Sequence, residues 1–144
     1  MIRPWLVVPA ALVLCISPTF AQEPDAEGCK DHALFTRFPG FYIQRCTLND
    51  FAAHTFRVGK KEVSVEGKYT EIMYYKNEGA KAPGVLTVHR NFENAIKKLG
   101  GTVTCSLEDG ESFYKIVKGG AEVWVHVSAN INEQYFLAVV ERGT

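Results

Sequence analysis

Histidine and cysteine are the side chains of this sequence best suited to chemistry, because they bind metals and act as bases or nucleophiles. The four histidines are His32, His54, His89 and His126. No two of them have the i, i+4 or HExxH spacing of a helical metal site, and the cysteines form no CxxC pair. The sequence therefore predicts no metal or other cofactor. A metal site assembled from distant segments is the alternative, with His32 and His54 as its ligands.

A cysteine nucleophile would require a histidine next to Cys105. Cys105 alternates with Val103 and Leu107 in a strand-like run, so its thiol is expected to lie in the core, where it is inert. The chain also lacks GxSxG, P-loop and GxGxxG motifs. We therefore expect a protein without catalytic activity. The alternative is a small enzyme in which Cys105 works with His126 or His89.

An aromatic sheet face is the strongest candidate for a binding site. In residues 122–128 the valines alternate with Trp124 and His126, so the valines are expected to meet a helix and the other two to face away from it. If that face is uncovered, Trp124 and His126 form a binding surface, with Tyr74 and Tyr135 as its further members. The alternative is that long charged side chains or the phenylalanine-rich N-terminal segment fold over it.

The segments that must position these side chains have mostly the period of β-strands. The predicted strands are residues 41–46, 62–66, 69–75, 102–107, 113–117, 122–127 and 135–141. An irregular connection is expected at Asn49 and Asp50, and a hairpin turn at Gly67 and Lys68.

One amphipathic helix interrupts the strands. Phe92, Ala95, Ile96 and Leu99 stand at i, i+3, i+4 and i+7, and the glycines at 100–101 end the helix. Its start falls between residues 83 and 89. Because one helix covers only one face of a sheet, we predict the α+β class, with an antiparallel sheet of about six to seven strands and the helix on one face.

The composition indicates one soluble globular domain. The 144 residues include 16 Lys and Arg against 16 Asp and Glu, and 47% of the side chains are apolar. Zero net charge provides no excess of cations for phosphates, so nucleic acid is not an expected partner.

The first 21 residues resemble a signal peptide. Arg3 precedes an uncharged apolar run that is too short to span a membrane, and small residues end at Ala21, where we place the cleavage. A lipoprotein signal at Cys15 is the alternative, although the bulky Leu14 before it disfavours lipidation. We expect residues 22–28 to be a flexible leader, residues 29–144 to be a single domain, and the mature chain to have no transmembrane segment.

Cleavage would leave Cys29, Cys46 and Cys105 in a compartment where disulfides persist. A bond between Cys29 and Cys46 is favoured because it would tie the N-terminal segment to the first strand, a closure worth about 3 kcal/mol on the chain-entropy model. Pairing of either cysteine with Cys105 stays open at the level of the sequence.

Four segments resemble the domain that precedes the OmpA-like module in certain bacterial envelope proteins. They are CKDHALFTRFPGFYI at 29–43, VEGKYT at 65–70, RNFENAIKKLGG at 90–101 and EVWV at 122–125. The chain departs from these proteins at Ala33, where they tend to have proline, and the sequence ends at Thr144, before any OmpA-like module. The resemblance implies a Gram-negative envelope and assigns no reaction.

Together these features predict an exported, periplasmic binding or interaction module. Its expected partner is an envelope protein or a small ligand, and contact with peptidoglycan is expected only through another protein. A structural role in an outer-membrane assembly is a further alternative, in which an exposed edge strand at residues 135–141 adds to the sheet of another chain.

Overall fold

The computed structural model describes residues 22–129 and 133–143, so the predicted signal peptide lies outside the described residues. The described chain forms six β-strands and one α-helix. In chain order these are β1 (Phe41–Val58), β2 (Lys61–Lys76), α1 (Val85–Lys98), β3 (Thr102–Glu108), β4 (Glu111–Lys118), β5 (Ala121–Ala129) and β6 (Gln134–Arg142). The predicted α+β class with an antiparallel sheet is confirmed, although the sheet far outweighs the 14-residue helix.

The described strands form one antiparallel sheet in the order β1-β2-β6-β5-β4-β3. β6 pairs with β2 on one side and with β5 on the other. The expectation of an exposed edge strand at residues 135–141 is therefore wrong, because these residues lie in the middle of the sheet. Leu137 and Val139 are buried on one face, and Ala138 and Val140 are buried on the other. The sheet is thus apolar on both faces.

Helix α1 confirms the predicted amphipathic helix and covers one face of the sheet. Its buried side chains include Val88, Phe92 and Ile96. Gly100 follows the helix with φ +79°, a conformation that glycine adopts without strain. Leu99, expected in the apolar stripe, is instead 39% exposed, because it caps the end of the helix rather than facing the sheet. We call the sheet face under α1 the helix face and the opposite one the second face.

The helix face carries the larger core. Val125 and Val127 lie there, so the predicted orientation of the β5 valines toward the helix is confirmed. The N-terminal segment contributes Phe35, whose ring centroid is 5.6 Å from that of Phe92 in the helix. The phenylalanines before β1 therefore cover the helix face and not the face that carries Trp124.

Strands β1 and β2 are much longer than the predicted strands. β1 runs on through Asn49 and Asp50, where we expected an irregular connection, and accommodates them in a β-bulge between Asn49 and Ala52. Phe51 projects from this bulge and is 67% exposed. The polar residues that suggested a loop therefore mark a bend within a continuous strand.

Gly67 marks a close approach of two strands rather than a turn. It lies within β2 opposite Ala52, and a Cβ at this position would meet the carbonyl oxygen of Glu141 at 2.5 Å. The turn of the β1–β2 hairpin is instead at Gly59, which has φ +59°. The predicted turn at Gly67 and Lys68 is therefore wrong: glycine is required there for packing, a need that sequence does not distinguish from a turn.

The outer half of the β1–β2 hairpin leaves the sheet. β2 pairs with β6 from Lys68 onward, whereas residues 52–67 pair with one another across the hairpin. We call residues 52–67 the distal hairpin. At its tip, the N–H of Gly59 donates to the carbonyl of Thr104 in β3 at 2.8 Å. β1 and β2 lie at one edge of the sheet, and β3 is the strand at the other edge. The distal hairpin therefore crosses the second face from one edge to the other.

A second core fills the space between the distal hairpin and the sheet. The ring of Phe56 is fully buried in it, with its centroid 5.6 Å from that of Trp124. The buried members of this core are Phe56, Val65, Tyr69, Cys105, Phe113, Trp124, Ala138 and Val140. The hairpin thus buries the face that the helix leaves uncovered.

The segment expected to be a flexible leader is tied to the outer edge of β1. Asp25 accepts hydrogen bonds from both terminal nitrogens of Arg37, at 2.6 and 2.7 Å, and from the backbone N–H of Ile43 at 2.9 Å. The N–H of Ala26 donates to the carbonyl of Ile43 at 2.9 Å. The guanidinium of Arg37 accordingly lowers the pKa of Asp25 below its usual value.

The predicted disulfide between Cys29 and Cys46 is confirmed, with a Cα–Cα distance of 5.9 Å. It joins the N-terminal segment to β1 just before the bulge. Cys105 is free and buried in the second core, so the alternative pairings through Cys105 are excluded.

Replacing Gly67 by alanine tests the close approach between β2 and β6. We expect Gly67→Ala to destabilise the protein by about 1–3 kcal/mol, because the added Cβ forces backbone apart. Gly84→Ala is the matched control, since a Cβ at Gly84 meets nothing within 4 Å and the backbone there has φ −67°. Urea unfolding gives both free energies. Equal stabilities of the two variants would contradict this role of Gly67.

Candidate functional site

Trp124 and His126 lie on the second face, but the distal hairpin covers that face. Trp124 is 6% exposed, and its indole N–H donates to Glu122 at 3.0 Å. The ammonium of Lys115 lies 4.7 Å from the ring centroid of Trp124. Among the described residues, the aromatic face expected from the sequence is therefore covered, because β1 and β2 continue beyond the predicted strands and their distal hairpin folds over it.

Tyr74 and Tyr135 lie on the helix face and so do not share a surface with Trp124. Their rings stack with centroids 4.6 Å apart, and both are buried. The hydroxyl of Tyr74 donates to Asp31 at 2.7 Å, and the hydroxyl of Tyr135 accepts from the N–H of Phe38 at 3.2 Å. Burial raises the pKa of both phenols above the usual range. These tyrosines hold the N-terminal segment in place.

Under the distal hairpin, His126 belongs to a chain of polar groups that joins three strands. Its Nε2 lies 3.1 Å from Oε1 of Glu111 in β4, and its Nδ1 lies 2.9 Å from Nε2 of His54 in β1. The guanidinium of Arg57 donates to the other carboxylate oxygen of Glu111 at 3.1 Å. We call Arg57, Glu111, His126 and His54 the latch, because they connect the distal hairpin to the sheet.

The chemistry of the carboxylate sets the direction of the hydrogen bonds in the latch. The carboxylate of Glu111 accepts, so Nε2 of His126 carries the proton that it receives. Nδ1 of a neutral His126 is then an acceptor, and the proton between the two rings belongs to Nε2 of His54. In the neutral state, Nε2 of His126 thus donates to Glu111, and Nε2 of His54 donates to Nδ1 of His126.

Aromatic rings enclose the two histidines of the latch. His126 stacks on Phe113 with ring centroids 4.3 Å apart, and His54 stacks on Tyr69 at 5.6 Å. The hydroxyl of Tyr69 donates to Glu71, and burial raises the pKa of this phenol above its usual range. The rings flank the contact between the imidazoles, which are themselves half-buried.

Burial lowers the pKa of both latch histidines below the ordinary value of 6.5. The neighbouring His126 lowers the pKa of His54 further by repulsion. For His126, the carboxylate of Glu111 opposes the effect of burial without reversing it. Both imidazoles are therefore neutral near pH 7.

The sequence pointed to His126 but not to its partners. His54 alternates with Ala52 and Phe56, and this period-two pattern is the signal that would have placed His54 on the inner side of a strand. We instead expected an irregular connection after the first short strand. Glu111 follows a turn and carries no signal of its own.

Another histidine, His89, is buried on the helix face. Its Nδ1 is 2.6 Å from the hydroxyl of Ser112, which in turn accepts from the hydroxyl of Tyr114 at 2.8 Å. Its Nε2 faces the backbone carbonyls of Gly110 and Ala129, without a hydrogen bond of ordinary geometry to any described residue. Burial lowers the pKa of His89.

Among the described residues, Cys105 makes no hydrogen bond with a histidine, and His32 and His54 do not belong to a metal-binding cluster. The thiol of Cys105 is 3.7 Å from the carbonyl of Ser106, while His126 and His89 make their hydrogen bonds with the partners given above. His32 lies 3.5 Å from Glu141, and His54 belongs to the latch. Within residues 22–129 and 133–143, no cluster of three or more His, Cys, Asp or Glu side chains could hold a metal ion.

A groove of about 390 Å³ lies where the hairpin bends away from the sheet. Its walls come from the N-terminal segment, the β1 bulge and β2, and they include Lys30, His32, Leu48, Asp50 and Lys68. Leu48 is 61% exposed, and Phe51 in the adjacent bulge is 67% exposed. We call this the bend groove. It is an open concave surface with the exposed Leu48 in its wall, and the exposed Phe51 directly follows the lining residues Asn49 and Asp50.

Comparisons with known proteins supply no family for this chain. A scan of protein-family models finds no match, and a search of curated proteins finds no significant relative. In the part of the chain that the structure describes, none of the helical structure is long and apolar enough to cross a membrane.

The lowered pKa values of His54, His89 and His126 predict an acid-sensitive fold. Below pH 6.5 the unfolded chain binds more protons than the native chain. The free energy of unfolding is therefore highest above pH 6.5 and decreases as the pH falls below it. The expected slope is at most about 1.4 kcal/mol per pH unit for each histidine. Urea unfolding at a series of pH values between about 8 and 5 measures it. Stability that stays constant over this range would contradict the assignment.

Proposed function

We propose that this chain is an exported, non-catalytic binding module of a Gram-negative envelope, and that it binds a segment of a partner protein in the bend groove. The site differs from the aromatic sheet face that the sequence favoured. The N-terminal sequence, with its short apolar run and small residues before Gln22, supports export, as does the disulfide between Cys29 and Cys46.

The proposal is supported by the difference in solvent exposure between Trp124 and the apolar side chains near the bend groove. Trp124 on the second face is 6% exposed, whereas Leu48 and Phe51 at the bend groove are 61% and 67% exposed. Burying a large apolar side chain is worth about 1.5–3 kcal/mol, so two neighbouring exposed ones provide binding energy to a partner that covers them.

The walls of the bend groove are fixed by covalent and hydrogen bonds. This favours binding, because a rigid site loses little conformational entropy when a partner binds. The disulfide fixes Cys46 only two residues before Leu48. On the opposite wall, Asp31 accepts hydrogen bonds from Arg37 and from Tyr74. Both walls therefore present a defined shape.

The charges of the groove favour a polypeptide segment over a nucleic acid. Lys30 and Lys68 stand on its walls together with Asp50 and Glu141. Phosphate backbones require a surplus of cations, which neither the groove nor the chain as a whole provides. A peptide offers side chains of both signs together with apolar groups, and it matches this mixture.

The absence of a catalytic role is part of the same proposal. Both ring nitrogens of His126 and Nδ1 of His89 have hydrogen-bond partners, and neither histidine lines the bend groove. The groove itself is lined by no cysteine or serine. The alternative based on Cys105 has no specific observation in its favour.

Site-specific photo-cross-linking tests this proposal. A photoreactive phenylalanine analogue replaces Phe51 in the full chain, expressed in its own host. We expect a discrete cross-linked adduct with one envelope protein, and Leu48→Ser is expected to reduce its yield by about tenfold, since the apolar contact is lost.

The matched control places the same analogue at Val117, which is 59% exposed but lies in β4, whereas Phe51 directly follows the lining residues Asn49 and Asp50 in β1. It should give no discrete adduct. Cross-linking at position 117 alone, or at neither position, would overturn the proposed site.

A further inference from the structure

The geometry points to a second property, independent of the bend groove: we propose that the distal hairpin is a pH-operated flap, which opens on acidification when the latch takes up protons and uncovers the aromatic surface beneath it. The flap, its hinge and its latch each correspond to a distinct structural feature.

The hinge lies where β1 carries a bulge and β2 stops pairing with β6. In β1 the register shifts between Asn49 and Ala52. In β2 the residue opposite Ala52 is Gly67, and pairing of β2 with β6 begins at Lys68. A bulge and a glycine facing each other form a bend at which rotation leaves the rest of the sheet paired.

Few backbone contacts hold the distal hairpin closed. At the tip, the N–H of Gly59 donates to the carbonyl of Thr104, and the Thr104 hydroxyl donates to the carbonyl of Arg57, both at 2.8 Å. The distal hairpin is also attached by the side chains of the latch and by apolar packing in the second core, to which it contributes Ala52, Phe56, Val63 and Val65. Within this attachment, the latch is the part that contains two histidines in contact, and its charge therefore changes with pH.

The first proton taken up by the latch is tolerated. When Nδ1 of His54 takes up the proton, the proton on its Nε2 can pass to Nδ1 of His126. His126 then carries the positive charge beside the carboxylate of Glu111 and donates to Nε2 of His54, which becomes the acceptor. The 2.9 Å contact between the imidazoles survives as a hydrogen bond. One proton therefore changes the direction of the bond without breaking it.

The second proton breaks the connection. With both imidazoles protonated, N–H groups on Nδ1 of His126 and Nε2 of His54 point at each other across 2.9 Å, so the hydrogen bond is lost and two cations repel. Separating the distal hairpin from the sheet moves these charges apart and into water.

The other charged groups around the pair do not cancel this repulsion. Glu111 from β4 is already paired with Arg57 from β1. On β2, Glu71 accepts from the Tyr69 hydroxyl, and it favours the charged form of His54 only in part. His89 lies on the far side of the sheet and disfavours a charge on His126. From β6, the uncharged ring of Phe136 packs against His126.

Tryptophan fluorescence tests the flap directly. The sequence has tryptophans only at 5 and 124, so Trp5→Phe in the full chain makes Trp124 the single reporter. Between about pH 8 and pH 5 we expect its emission to shift to the red and its quenching by iodide to rise. The open population should increase by about tenfold per pH unit for each proton taken up. Far-UV circular dichroism should stay unchanged.

Two variants separate the latch from other effects of acid. Gln in place of His54 can donate to Nδ1 of His126 without titrating, so His54→Gln should abolish the acid transition of Trp124. His32→Gln, which removes a histidine outside the latch, should leave the transition as it is. An unchanged transition in His54→Gln would overturn the proposal.

Amide hydrogen exchange provides a second measurement that does not depend on a variant. After correction for intrinsic rates, the amide of Gly59 should lose protection at acidic pH while amides in β5 and β6 remain protected. Loss of protection at all these sites together, or no loss at any of them, would overturn the flap.

Discussion

The structure depends on one constraint: its sheet is apolar on both faces, and a single 14-residue helix covers only one of them. An uncovered second face would expose Trp124, Phe113 and Val140 to water. The β1–β2 hairpin removes this exposure because its strands continue past the sheet and fold back over it. The bulge before Ala52 and the absence of a side chain at Gly67 allow that bend.

Covering a sheet with a hairpin has a consequence for polar groups. A strand that folds over a core brings its own backbone and polar side chains with it, and those that become buried must find partners. His54 meets this requirement with His126, and Arg57 meets it with Glu111. The same bend leaves Leu48 and Phe51 on its outer side, next to the bend groove. The half-buried latch and the exposed side chains of Leu48 and Phe51 therefore have the same structural cause.

The sequence predicted the features whose causes are local. The helix around Phe92 and Ile96, the orientation of Val125 and Val127, and the Cys29–Cys46 bond followed from periodicity and spacing. The course of the distal hairpin could not be predicted, because alternation continues unchanged through a bend and a glycine at 67 suits a turn as well as a close approach. The pairing of His54 with His126 joins strands that are far apart in sequence, and no local pattern encodes it.

The two histidine sites, His89 and the His54–His126 pair, show why the effect of protonation depends on position and not on burial alone. His89 is held by Ser112 and Tyr114 within the main core, where a helix and a sheet pack through many apolar side chains. Protonating it weakens the fold as a whole. His126 and His54 belong to two layers joined by a smaller core and a few backbone contacts at the tip. Repulsion between them acts on that one interface, so the layers can separate while the sheet stays intact.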